Sequence, residues 1–274
     1  MCFSAAASFT LGTVLVVIGL ANIAQVVLSQ SLSWRHRLSM MPFAAIPVAF
    51  GTQQISEGFV WINHLNNQNA IRCFTFFAYP FWPGFIPFTL ALLELHRPKP
   101  MTNLQNQAHD VMVGELARYH TTDFLTWTKT KATSLRRYII FTLAIIGQLL
   151  FAYLLTAIIT NDPIHVSLQE MRIVYMFEFP NMFWNSDRIP ALLAAVLYVA
   201  VIVGSLFLSS VQHNRTIAIA IAASLFVSVK LWFDAFASTW CFFSAGISSM
   251  VFVVTRQELK YRQCILRFSY TLLI

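Results

Sequence analysis

Residues 9–28 read FTLGTVLVVIGLANIAQVVL, twenty positions without one ionisable side chain. A helix of about 20 residues, rising 1.5 Å per residue, crosses a hydrocarbon layer roughly 30 Å thick and satisfies its own backbone hydrogen bonds on the way. The stretch therefore reads as a membrane-crossing helix. No basic residue precedes it, and Ala5, Ala6 and Ala7 lie before the apolar core rather than after it. The expectation is a retained helix and not a cleaved leader.

Six further apolar runs of similar length follow: Met41 to Ile62, Ile71 to Leu95, Tyr138 to Thr160, Ile189 to Ser209, Thr216 to Phe233 and Ser238 to Val254. Composition agrees, since 57% of the 274 residues are hydrophobic and 11% are charged, where a soluble domain carries about 25% charged residues. The mean hydropathy is +0.64. The expected fold is an all-α membrane protein, a single domain over residues 1–274 built as a bundle of about seven transmembrane helices. No internal repeat or low-complexity segment divides it.

A net charge of +7 invites a nucleic-acid reading, and the distribution of the charges argues against it. One set of alternate loops holds Arg35, Arg37, Arg97, Lys99, Arg118, Lys129, Lys131, Arg136, Arg137 and Arg215, and the C-terminal tail adds Arg256, Lys260, Arg262 and Arg267. The opposite loops hold only Arg72, Arg172 and Arg188. The positive-inside bias makes the first set cytoplasmic. The N-terminus is then expected outside and the C-terminus in the cytoplasm of a multi-pass cell-membrane protein. Anionic headgroups suffice as partners for the excess charge, so membrane lipids are the expected partners and nucleic acid is not.

Two connections are long enough to hold structure. The stretch Met101 to Arg137 places Leu104, Ala108, Val111, Met112 and Leu116 at helical spacing, and Trp127 stands beside Lys129 and Lys131. It is read as a cytoplasmic loop with one or two short helices, the second lying along the headgroup layer. On the other side, His165 to Leu168 and Arg172 to Phe179 alternate around Gln169, Glu170 and Met171. That pattern predicts a short outer β-hairpin within 164–179, over the mouth of the bundle or as a spacer.

The second run carries the least expected residues: Phe50-Gly51-Thr52-Gln53-Gln54-Ile55-Ser56-Glu57-Gly58-Phe59-Val60-Trp61. A charged group at depth costs about 2.5–3.5 kcal/mol on insertion scales, so it faces the bundle interior and takes a partner. Gln53 lies one turn from Glu57, while Gln54, Glu57 and Trp61 share a stripe. Lys230, with Asp234 four residues on, is the expected ion-pair partner if the two helices are neighbours. These residues are the candidate ligand-binding or ion-pair group, and a register-fixing salt bridge is the alternative use of them. In the third run Pro80, Pro83, Gly84 and Pro87 must kink or break the helix, which either lines a cavity or shapes packing.

Four cysteines fit no disulfide framework or zinc spacing. Cys2, Cys73 and Cys241 fall toward the outer face and Cys264 toward the cytoplasm, with free thiols and an oxidised outer pair both open. Cys2 and Cys241 are thiol candidates, and His64 is the nearest base in sequence terms. No metal site is expected, because no ligand pair has suitable spacing. The cofactor is left unknown: Lys230 lies outside the last span, which sets the chain apart from retinal proteins, and no other cofactor motif is read.

Met1-Cys2-Phe3-Ser4-Ala5 followed by Ala7-Ser8-Phe9, the Phe50 to Trp61 run, Trp-Pro-x-x-x-Pro at Trp82 to Pro87 and Trp-Cys-Phe-Phe at Trp240 to Phe243 resemble an uncharacterised family of bacterial multi-pass membrane proteins. The resemblance spans nearly the whole chain. It implies no assigned activity, so no catalytic residue follows from it. It also implies that Met101 to Arg137 is an insertion, and it matches an acidic residue at the position of Asp234.

Three functions stay open. The first is transport or binding of a small ligand or ion at a polar site in the outer half of the bundle. The second is a membrane enzyme acting on a lipid or apolar substrate, with Glu57 as acid or base. The third is a structural or accessory subunit.

Overall fold

The computed structural model describes residues 4–29, 32–96, 119–161, 163–169, 172–176, 188–211, 213–231 and 236–271. Cys2, Asp234, residues 101–118 and residues 177–179 of the expected hairpin lie outside them. The chain is largely helical. In order come α1 (Ala5–Leu28), α2 (Trp34–Ala44), α3 (Ile46–Ile62), α4 (Gln68–Phe76), a π-helical segment (Phe77–Phe81), α5 (Trp82–Leu95) and α6 (Tyr119–Thr160). Strands β1 (His165–Gln169) and β2 (Arg172–Met176) are followed by α7 (Arg188–Leu208), α8 (Asn214–Leu231), α9 (Phe236–Ser248) and α10 (Met250–Thr271).

Among the described residues four helical stretches are long and apolar enough to cross a membrane: Ala5–Leu28, Gln68–Leu95, Ser134–Thr160 and Thr239–Lys260. Leu193–Leu208 and Asn214–Ser228 are shorter apolar helices. The expected second span is divided at Ala45, which leaves 17 residues in α3. Large apolar side chains face outward around the bundle, among them Val17, Leu149, Ile219 and Phe226, the last 71% exposed. A soluble protein rarely shows so continuous an apolar exterior, whereas hydrocarbon solvates it without cost.

α1 and α3 run antiparallel in close contact. A Cβ on Gly12 would stand 2.8 Å from the Gly51 carbonyl oxygen, and one on Gly51 would stand 2.7 Å from that of Gly12. Only glycine admits such an approach, which is how helices gain packing where lipid supplies no hydrophobic drive. Asn22, fully buried on α1, donates to the Ala44 carbonyl at 3.1 Å and to Thr255 Oγ1 at 3.3 Å, joining α1 to α2 and α10.

The prolines of the third expected span do not break it. The helix passes through a π-helical turn at Phe77–Phe81 and continues. A π turn pairs carbonyl i with donor i+5, and for Ala78 that position is Pro83, which has no N–H. Tyr198 takes the carbonyl instead, donating its hydroxyl to Ala78 O at 2.8 Å. Gln148 of α6 likewise donates to Gly84 O at 2.9 Å.

α6 corrects a further expectation. Its 42 residues make a continuous helix about 63 Å long, so Trp127, Lys129 and Lys131 belong to an extension of the crossing helix rather than to a separate one along the headgroups.

The hairpin forms as expected, antiparallel, with His165 opposite Met176 and Gln169 opposite Arg172. It marks one end of the bundle together with the α3–α4 turn. At the other end the buried Glu94 carboxylate accepts from the Ser210 backbone N–H at 2.5 Å and holds the α7–α8 connection.

Candidate functional site

α3 contributes the polar face. Helical spacing turns Gly51, Ile55 and Gly58 against α1, while Gln53, Gln54 and Glu57 are each 0% exposed. The glycine-tight α1–α3 seam leaves lipid no path to them from that side. Gln53 Oε1 accepts from Trp82 Nε1 at 2.9 Å, and the Trp82 ring stacks on Phe50 at 3.7 Å between centroids, 17° from parallel. The Gln53 side chain also faces the Cys241 thiol, and the Glu57 carboxyl lies within electrostatic range of the same sulfur.

α9 and α7 close the other side. Tyr79 and Tyr198 both neighbour Cys241, and Tyr198 meets Trp240 edge-on at 5.4 Å. Four segments thus converge on one buried cluster: α3, the π turn with the start of α5, α7 and α9. A carboxyl, a carboxamide and two phenols lie there among aromatic walls. Such a set can hold a polar group by hydrogen bonds once water is excluded.

Beside this cluster lies a half-open cavity of about 40 Å³. Trp82, Tyr198, Trp240 and Cys241 form its wall toward the polar residues, while Phe43, Ile217, Ile221 and Val251 line the far part. Nearly all of its surface is apolar.

The hairpin covers the cluster at its own end of the bundle. Tyr175 of β2 stacks on Phe74 of α4 at 4.6 Å between centroids, and this pair packs with Ala78, Tyr79 and Cys241. Ile173 is fully buried against Val60, Ile71, Ile158 and Ile164. The Gln68 side chain fastens the approach to β1, donating to Ile164 O at 3.2 Å and accepting from Ile164 N at 3.3 Å. The segment is therefore packed onto the bundle.

The sequence-derived candidates divide clearly. Gln53, Glu57 and Cys241 come together, Gln54 is fully buried on the same helix, and Trp61 packs under the hairpin. Lys230 does not join them. Its side chain is exposed, it makes no ion pair with Glu57 among the described residues, and its helix packs mainly on α7 and α9 rather than on α3. A lysine near a helix end instead runs its stem along apolar surface toward water.

Cys73 is a free thiol accepting from Ser56 Oγ at 3.0 Å, and Cys241 is free as well. Among the described residues no group of His, Cys, Asp and Glu could hold a metal ion. His64 is exposed in the α3–α4 turn. Tyr79 and Tyr198 were not anticipated, although Tyr198 is the one polar side chain between Ile189 and Gly204, a signal that could have found it.

The profile of a family of unknown function matches residues 1–158 and 128–264. The chain belongs to that family, DUF6629. No curated protein and no solved structure matches the chain. Membership of DUF6629 brings no activity with it, so chemistry has to be argued from the cluster itself. Three of the motifs behind the sequence resemblance, Phe50 to Trp61, Trp82 to Pro87 and Trp240 to Phe243, contribute a side chain to the site described for this DUF6629 member.

Proposed function

We propose that this membrane protein crosses the bilayer seven times, hairpin end outward, and binds a small amphiphilic ligand within the bundle. The ligand's polar group sits against Gln53, Gln54 and Glu57, and its apolar part lies beyond Trp82 and Cys241. One observation carries the reading: two fully buried polar side chains on one helix, Gln53 and Glu57, stand behind Trp82 and Cys241, which line a half-open apolar cavity. A bundle built only for stability gains nothing from burying Glu57, since replacing buried charged groups with packed apolar ones is often neutral or stabilising. An intramembrane ionisable residue marks a functional site by default.

The test uses the full chain purified in mild detergent, from which retained small molecules are extracted and identified by mass. The wild-type protein should hold a compound that Glu57→Gln and Gln53→Leu lose at least tenfold, with unchanged unfolding temperatures. Equal retention in all three proteins would refute the site.

A further inference from the structure

The cavity beside Cys241 has walls whose chemistry narrows what can occupy it. About 10–15 Å³ of such space accommodates one water molecule, so about 40 Å³ is room for roughly three waters or a short run of methylene groups. Water is a poor tenant, because a buried molecule needs two to four polar partners. The Trp82 indole N–H is already given to Gln53, the Tyr198 hydroxyl to Ala78 O, and the Ser248 hydroxyl to Ala245 O at 2.6 Å. Ser244 differs. It lines the cavity, is 6% exposed, and its Oγ has no hydrogen-bond partner among the described residues.

The surroundings supply the occupant. α8 leans chiefly on α7 and α9, and its inner residues Ile217 and Ile221 look across the cavity at Phe43 and Val251. The outer face of the same helix carries the exposed Ile219 and Phe226, which hydrocarbon must cover. A dry, apolar, half-open hollow set in an acyl-chain solvent fills with a chain.

We infer that the cavity takes a single hydrocarbon chain bearing one hydrogen-bonding oxygen, the oxygen at Ser244 and the methylenes against Ile217, Ile221 and Val251. This rests on the proposed ligand-binding function and names the chemistry of that ligand's apolar part: a long chain with an alcohol or ester oxygen along it, as a free chain or as one arm of a bilayer lipid. There is no room for a second chain.

The experiment measures the unfolding temperature of the detergent-solubilised full chain with added 1-dodecanol, dodecane or lysophosphatidylcholine. Wild type should be stabilised more by dodecanol than by dodecane, since a ligand that binds only the folded state raises its stability. Ser244→Ala should weaken the response to dodecanol about fivefold to tenfold, the worth of one hydrogen bond, and leave dodecane unaffected. Ile221→Trp, or Ile217→Phe should the first not fold, fills the hollow and should abolish both responses.

A response to lysophosphatidylcholine alone assigns the chain to a lipid ester, and one to dodecanol alone assigns it to a free alcohol. Responses identical in wild type and in the filled variant, or no response to any probe, overturn the inference. The compound retained on purification reads the polar group at Glu57 and the probe-induced shift reads the cavity, so the two proposals can fail separately.

Discussion

Gln53 serves two neighbours with one amide, its oxygen taking the Trp82 indole and the rest of the group facing the Cys241 thiol. In an apolar surround each half of that arrangement is expensive to leave unmade. Trp82→Phe strips Gln53 Oε1 of its donor while keeping most of the ring stack on Phe50, and should cost about 1–3 kcal/mol, read as a lowered unfolding temperature in detergent. His64 is the opposite case. It holds φ 48° and the adjacent Leu65 φ 64°, a left-handed pair that ends α3 without glycine. Leu65 contributes packing under the hairpin, whereas His64 is exposed, so His64→Gly should raise stability by about 1 kcal/mol in the same measurement.

Among the elements, the α1–α3 pair and the hairpin make separable predictions. The Gly12 and Gly51 backbones meet carbonyl to Cα, and a carbonyl cannot move aside as a side chain can. Gly51→Val should force the helices apart at a cost of about 3 kcal/mol, visible as reduced yield of folded protein and a lowered unfolding temperature. Gln68→Ala removes both side-chain bonds to Ile164. It should speed hydrogen exchange across β1 and β2 at least tenfold while leaving α1 and α3 unchanged.

At this scale the sequence was informative where one physical term dominates. Apolar length located most of the helices, and alternation located the hairpin to within a few residues. It misled where terms compete. The prolines predicted a break, but a π turn and two donors from other helices, Tyr198 and Gln148, absorb them, and such long-range partners leave no local trace. The burial of Gln53, Gln54 and Glu57 was legible from the cost of immersing them. Their partner was not, because Lys230 was matched on depth alone, and depth carries no information about which helices are neighbours.

For the whole molecule, the charge distribution and the fold combine into a topology experiment. The α7–α8 connection and the beginning of α6 lie at the end opposite the hairpin, the end that carries most of the lysines and arginines. A single cysteine introduced at His213 in a background lacking the native ones should react with an impermeant reagent only from the cytoplasmic side, and one at Ser167 only from outside. Labelling of both from one side would contradict the seven-span arrangement.

The π turn at Phe77–Phe81 amounts to one residue more than a regular helix would need to cover the same rise. A π turn winds less per residue than an α-helix, so it takes up that residue and keeps the half of the span that stacks Phe74 on Tyr175 in phase with the half that presents Trp82 to Gln53. Deleting Phe77 would return the turn to regular helix with both halves facing as before, and the change would fall on the segment between them, where Tyr198 meets the Ala78 carbonyl. Chains of this family that are one residue shorter there are expected to keep both the hairpin dock and the Trp82 wall.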